Sequence, residues 1–188
     1  RSGIANVSVV DASSFGPRQL TVAIVSGIQS LFQKLHSISI HGCDSFLNHY
    51  YLRWYLPMEA TRSTSLESYR FASGDHYGCI LIREASDSTP PIWAHIQKLN
   101  HLAVHLFLLP RTSVGHSLPS SLRILEVVPD PDPPAGTPSV SADLDHEGAL
   151  LKSLHDVLAL ESLSVPAVWR SDKVEEACER RGIALSWT

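Results

Sequence analysis

The sequence predicts an α/β fold assembled from repeated strand-and-helix units. Three observations predict it: a short apolar spacing recurs along the chain, helical periodicity lies between most of its copies, and the composition suits a packed core. Of 188 residues, 44% are hydrophobic and 18% charged, the balance of a globular chain with one domain's worth of core.

The spacing is clearest in the segment LHSISIHGC, where Leu35, Ile38, Ile40 and Cys43 fill every defined place of the template L-x-x-L-x-L-x-x-N/C. Its shorter core returns at Ile4, Val7, Val9; Leu66, Tyr69, Phe71; Leu99, Leu102, Val104; Leu122, Leu125, Val127; and Leu160, Leu163, Val165. These six copies advance in steps of 31, 31, 33, 23 and 38 residues, longer and less even than the roughly 20 to 29 of regular leucine-rich repeats. The expected architecture is therefore an irregular leucine-rich-repeat solenoid, with short parallel strands on the concave face and helices on the convex face. One such unit cannot close a core, and stacking makes the apolar columns continuous. The alternative is an ordinary mixed α/β domain in which the matches arise by chance.

Between the strands, Leu20, Ile24, Ile28, Leu31 and Phe32 follow a 3.6-residue period that predicts a helix over 20–35. A second, over 45–56, carries Phe46, Leu47, Tyr50, Tyr51, Trp54 and Tyr55 behind a cap at Asp44 or Ser45 and stops at Pro57. A shorter one follows Pro91, with Ile92, Trp93 and Ile96 inward, and Leu150, Leu151, Leu154, Val157 and Leu158 mark another over 147–158. Near the end, Asp172 and Glu175 read as a capping pair, Arg180 and Arg181 suit the last turn, and Gly182 suits the position after it. Ile183, Leu185 and Trp187 then alternate as a closing edge strand. Two stretches fit no compact unit: 74–90, and 128–147. The second holds a Pro/Asp-rich insertion over 129–146, read as a projecting acidic loop that is either inert or a binding element.

The formal net charge is −4 and no basic stripe exists, which argues against nucleic acid. No apolar run nears the ~20 residues that span a bilayer. Cys43, Cys79 and Cys178 are odd in number and widely spaced, so no disulfide framework is expected and a reducing compartment, cytoplasmic or nuclear, is. The chain begins at Arg1 without a leader and reads as the C-terminal part of a longer protein, with residues 1–188 as one domain. His36, His41, Cys43 and His49 cluster, but in no regular zinc spacing, and Cys43 already serves the repeat. Signatures for hydrolysis or nucleotide binding are missing. No catalytic residue, metal or cofactor is assigned; the competing reading is a small enzyme on an irregular α/β fold with a Cys/His or Asp/His site.

The residues flanking each strand's buried pair define the open face. They nominate Ser37, Ser39, His41, Ser68, Arg70, His101, His105 and Glu126 as a binding surface for another protein, with Arg70 and the three histidines as anchors. Three histidines there would make binding sensitive to pH near 6.5.

The strand phrases QKLHSISIHGC, TSLESYRFASG, QKLNHLAVHLF, PSSLRILEVVP and LALESLSVP, with the closing EEACERRGIALSWT, resemble the leucine-rich-repeat region of fungal F-box proteins over most of the chain. The resemblance implies the substrate-recognition part of a ubiquitin-ligase receptor. In that family an upstream F-box segment binds the adaptor of a cullin-RING ligase and the repeats capture the protein to be ubiquitylated. No F-box is visible in these residues, so the adaptor contact would lie upstream. A free-standing repeat protein without a ligase link is the alternative.

Overall fold

The computed structural model describes residues 6–10, 36–41, 66–72, 74, 76, 79–80, 83–84, 93–110 and 118–188. Among them, seven short strands form one all-parallel sheet: β1 (Asn6–Val10), β2 (Ser37–His41), β3 (Ser68–Ala72), β4 (His101–His105), β5 (Ile124–Val128), β6 (Ser162–Val165) and β7 (Ala184–Trp187). Each strand lies beside its neighbour in sequence, in the order β1 to β7.

The register reproduces the spacing of the apolar pattern. Asn6 opposes Ser37, which opposes Ser68, then His101, Ile124 and Ser162. Ser162 in turn opposes Ala184 on the closing strand. The middle apolar position of every copy consequently falls into one column, Val7–Ile38–Tyr69–Leu102–Leu125–Leu163–Leu185. From Tyr69 to Leu163 that column is buried, as are Leu66, Leu99, Leu122 and Leu160, which open their copies. Full burial of a leucine contributes about 2 kcal/mol.

At the amino ends of the strands one backbone device repeats. The carbonyls of His36, Glu67, Asn100 and Arg123 each accept two N–H groups from the next unit: Glu67 and Ser68, Asn100 and His101, Arg123 and Ile124, Glu161 and Ser162, all at 2.8–3.0 Å. The same sequence position makes the same turn each time, so orphan donors at the strand starts are satisfied in series.

Two α-helices are described from end to end. Helix α1 (His146–Asp156) turns Leu150 and Leu154, one turn apart, into the core. Its N-cap Asp145 accepts the Gly148 N–H at 2.8 Å, and a Cβ on Gly148 would stand 2.1 Å from that carboxylate. Helix α2 (Asp172–Arg181) buries Val174 and Cys178 in the same way. It ends at Gly182, whose φ of +66° is the left-handed conformation that glycine adopts freely, and the Ile183 N–H bonds back to Cys178 O at 2.9 Å.

Several expectations change. The segment after Pro91 makes a single 3₁₀ turn, Trp93–His95, with Trp93 and Ile96 still buried and the Trp93 indole donating to Leu108 O at 3.1 Å. Within 74–90, the described residues 76, 79, 80, 83 and 84 are helical, with His76 and Cys79 buried. The 129–146 insertion is pinned at its base, while residues 132–138 between the ties are exposed. Asp130 accepts from Ser139 Oγ (2.7 Å) and Ser141 N (2.8 Å), and Val140 and Ser141 are buried. Arg83 holds the Asp143 carboxylate with two bonds of 2.5 and 2.7 Å and also donates to Val140 O. At α2 the N-cap is Ser171 and no capping box forms, because Glu175 instead accepts from the Trp187 indole and pairs with Arg170. Arg181 serves not its own helix but the end of α1, donating to Leu154 O, Val157 O and Leu158 O. The helices expected over 20–35 and 45–56 lie outside the described residues.

Candidate functional site

Parallel pairing carries the alternate residues of each strand into rows across the opposite, polar face of the sheet. One row runs Asn6–Ser37–Ser68–His101–Ile124–Ser162–Ala184 and the next Ser8–Ser39–Arg70–Ala103–Glu126–Ser164–Ser186. Ser37, Ser39, Ser68, Arg70, His101 and Glu126 thus share one surface, and Ser37, Ser39 and Ser68 are partly exposed there. His41 pairs with Ala72 in the backbone register, but its side chain lies outside the described residues.

The centre of this face is an interlocked group. Arg70 donates to Glu126 Oε2 at 2.5 Å although a strand lies between them. The two strand spacings to be crossed amount to roughly 9.6 Å. Both side chains reach across Ala103, whose exposure is 0%. The same Glu126 oxygen lies 3.8 Å from His101 Nε2, and His101 Nδ1 hydrogen-bonds with Ser68 Oγ at 3.1 Å. Arg70, His101 and Glu126 are each about 30% exposed, a level at which a partner can touch them and they still hold one geometry. Beside them Ile124 presents a 43% exposed apolar side chain. The strand alternation located this set; the covering of Ala103 follows from the register.

His105 does not belong to the open face. It has the outward parity of His101, yet its exposure is 0%. Its ring stacks on Phe107 (5.2 Å between centroids, 4° between planes) and meets the edge of Phe71 at 5.9 Å. Its Nε2 stands 3.9 Å from Cys79 Sγ and its Nδ1 3.8 Å from Asp130 Oδ1. Desolvation pushes the imidazole down to about 4, against the opposing pull of Asp130 and of the backbone at Val128 and Pro129. Sequence reasoning missed this trio, because Asp130 reads as part of a Pro/Asp-rich loop.

Thiol, imidazole and carboxylate in line is the order of a nucleophilic triad. Here Cys79 is fully buried, the spacings exceed the ~3 Å of proton transfer, and the open groove that reaches Asp130 is lined by neither Cys79 nor His105. A substrate has no route to the thiol through that groove. Of the suspected zinc cluster, Cys43 and His49 lie outside the described residues, and no group of three metal-ligating side chains occurs among those described. No described helix is long and apolar enough to cross a membrane.

The chain matches no family model, no curated protein and no solved structure.

Proposed function

We propose that this chain is a leucine-rich-repeat solenoid that binds another protein on the polar face of its sheet, in the manner of the substrate-recognition region of fungal F-box receptors. The observation that carries the reading is the pair of unbroken side-chain rows across seven strands taken in sequence order. A stack of units that each contribute two face residues builds a broad surface and no enclosed reaction chamber. The ligase link rests on the resemblance alone, and the adaptor would be held by a segment outside these 188 residues.

The Ser68–His101–Glu126–Arg70 group with Ile124 supplies the anchors, since arginine and an adjacent apolar side chain are the groups that dominate interface energetics. Capture of proteins by the immobilised chain, quantified by mass spectrometry, tests the reading against an Arg70→Ala/His101→Ala double variant and against Ser164→Trp. A set of proteins retained by the wild type and depleted at least ~10-fold by both variants supports it. Equal retention by all three, or no protein retained by the wild type, overturns it.

A further inference from the structure

At the carboxyl ends of β5 and β6, a second surface stands apart from the polar face. An open groove of about 720 Å³ runs between the chain that leaves β5 (Pro129, Pro131, Pro133) and the 3₁₀ turn after β6 (Ala167–Trp169). Ligands of parallel α/β sheets favour this end of the strands.

Three properties of the groove point to one kind of occupant. Its walls are held in place before anything binds: prolines fix φ along one side, and Asp130 and Arg83 tie the rest of that segment down at Ser139, Ser141, Val140 and Asp143. A preset wall removes the ordering cost that usually weakens a loop site. The other wall is apolar and unusually open. Val168 is 82% exposed, and Trp169 stacks on His146 at 4.9 Å.

Carboxylates outnumber cationic side chains in the lining, four to one guanidinium. Prolines offer carbonyls and no N–H. Exposed carboxylates come from Asp132 and from Asp145, whose Oδ1 caps α1; Asp130 is engaged by Ser139 and Ser141, Glu147 is paired with Lys173, and the one lining guanidinium, Arg170, is paired with Glu175 at 2.8 Å.

We propose that this groove is a docking site for an extended peptide segment that carries arginine beside an apolar residue. A guanidinium is a donor without an acceptor, forks onto carboxylates and lies flat on aromatic rings, and the neighbouring apolar side chain covers Val168. The site is independent of the polar face and stands or falls separately from the function proposed above.

Fluorescence anisotropy with a labelled peptide that alternates arginine and leucine tests it, with a glutamate–leucine peptide of equal length as the control. Asp132→Lys and Val168→Glu alter exposed side chains, and circular dichroism confirms that each variant folds. The expected result is binding of the arginine peptide that weakens with salt and falls at least ~10-fold in either variant, with Arg70→Ala unchanged. Binding that persists in both variants, equal binding of the glutamate peptide, or no binding to the wild type at millimolar peptide overturns the proposal.

Discussion

The two edges of the sheet are built by different rules. Along the amino ends of the strands, four successive carbonyls make the same paired acceptance, and the residues that carry them pair across units, as in His36 with Glu67 and Arg123 with Glu161. Among the described carboxyl ends, those of β4, β5 and β6 differ from one another: His105 sinks beneath Phe71 and Phe107, the chain after β5 folds back on Asp130, and the chain after β6 makes an exposed 3₁₀ turn. A stack of units needs uniform starts to keep its register. Once the apolar column is filled, the exits of β4, β5 and β6 are free to differ, and individual features gather there.

Truncating the shared column should break both edges together. Leu125→Ala removes a fully buried side chain between Leu102 and Leu163 and is expected to cost ~2–5 kcal/mol in urea unfolding. A cost under ~1 kcal/mol would mean that the column does not hold the strands.

His105 gives the carboxyl edge a pH signature. Its folded value of about 4 lies below the free value of 6.5, so the unfolded chain takes up the proton first. The stabilisation is complete above pH 6.5 and is lost as pH falls from there towards 4, by an amount on the order of 3 kcal/mol. The urea midpoint should decline across that window, and His105→Phe should flatten the decline. An unchanged slope in the variant would assign the titration to another group.

Arg181 ties the second helix to the exposed end of the first through three carbonyls. Arg181→Ala should cost about 1–3 kcal/mol, with little rescue by lysine, which lacks the planar fork. Full rescue by Arg181→Lys would show that charge alone matters. Smallest is Arg123→Ala. The ion pair with Glu161 has both partners more than half exposed, so thermal unfolding should register under ~1 kcal/mol despite its place in the periodic edge. A larger loss would mean that the side chains, and not the backbone carbonyls, maintain the register.

The amino edge was legible in the sequence and the carboxyl edge was not. A fixed apolar spacing is local information, and it placed β1 to β6 and their offsets; the helical period of Leu150 and Leu154 and the glycine at 182 placed α1 and the end of α2. The six polar-face residues whose side chains are described fell where strand alternation put them. His105 did not, because alternation cannot see Phe107 and Asp130 closing over the end of β4. The fold-back of 129–146 was hidden for a related reason. Proline and aspartate suggest extended chain, whereas the actual course depends on Asp130 meeting Ser141 and on Arg83 reaching Asp143, partners 11 and 60 residues apart.

The Arg70–Glu126 bridge over Ala103 also bears on kinetics. The two charges cancel at the centre of the polar face, so the bridge projects little field into solvent, and a partner of the kind proposed would gain no long-range steering from it. Its association rate should sit near the unsteered ~10⁵–10⁶ M⁻¹s⁻¹ and change little with ionic strength. Under the proposed reading, discrimination among partners would reside in how long each stays, set by fit around Ile124 and by whether the bridge is left closed.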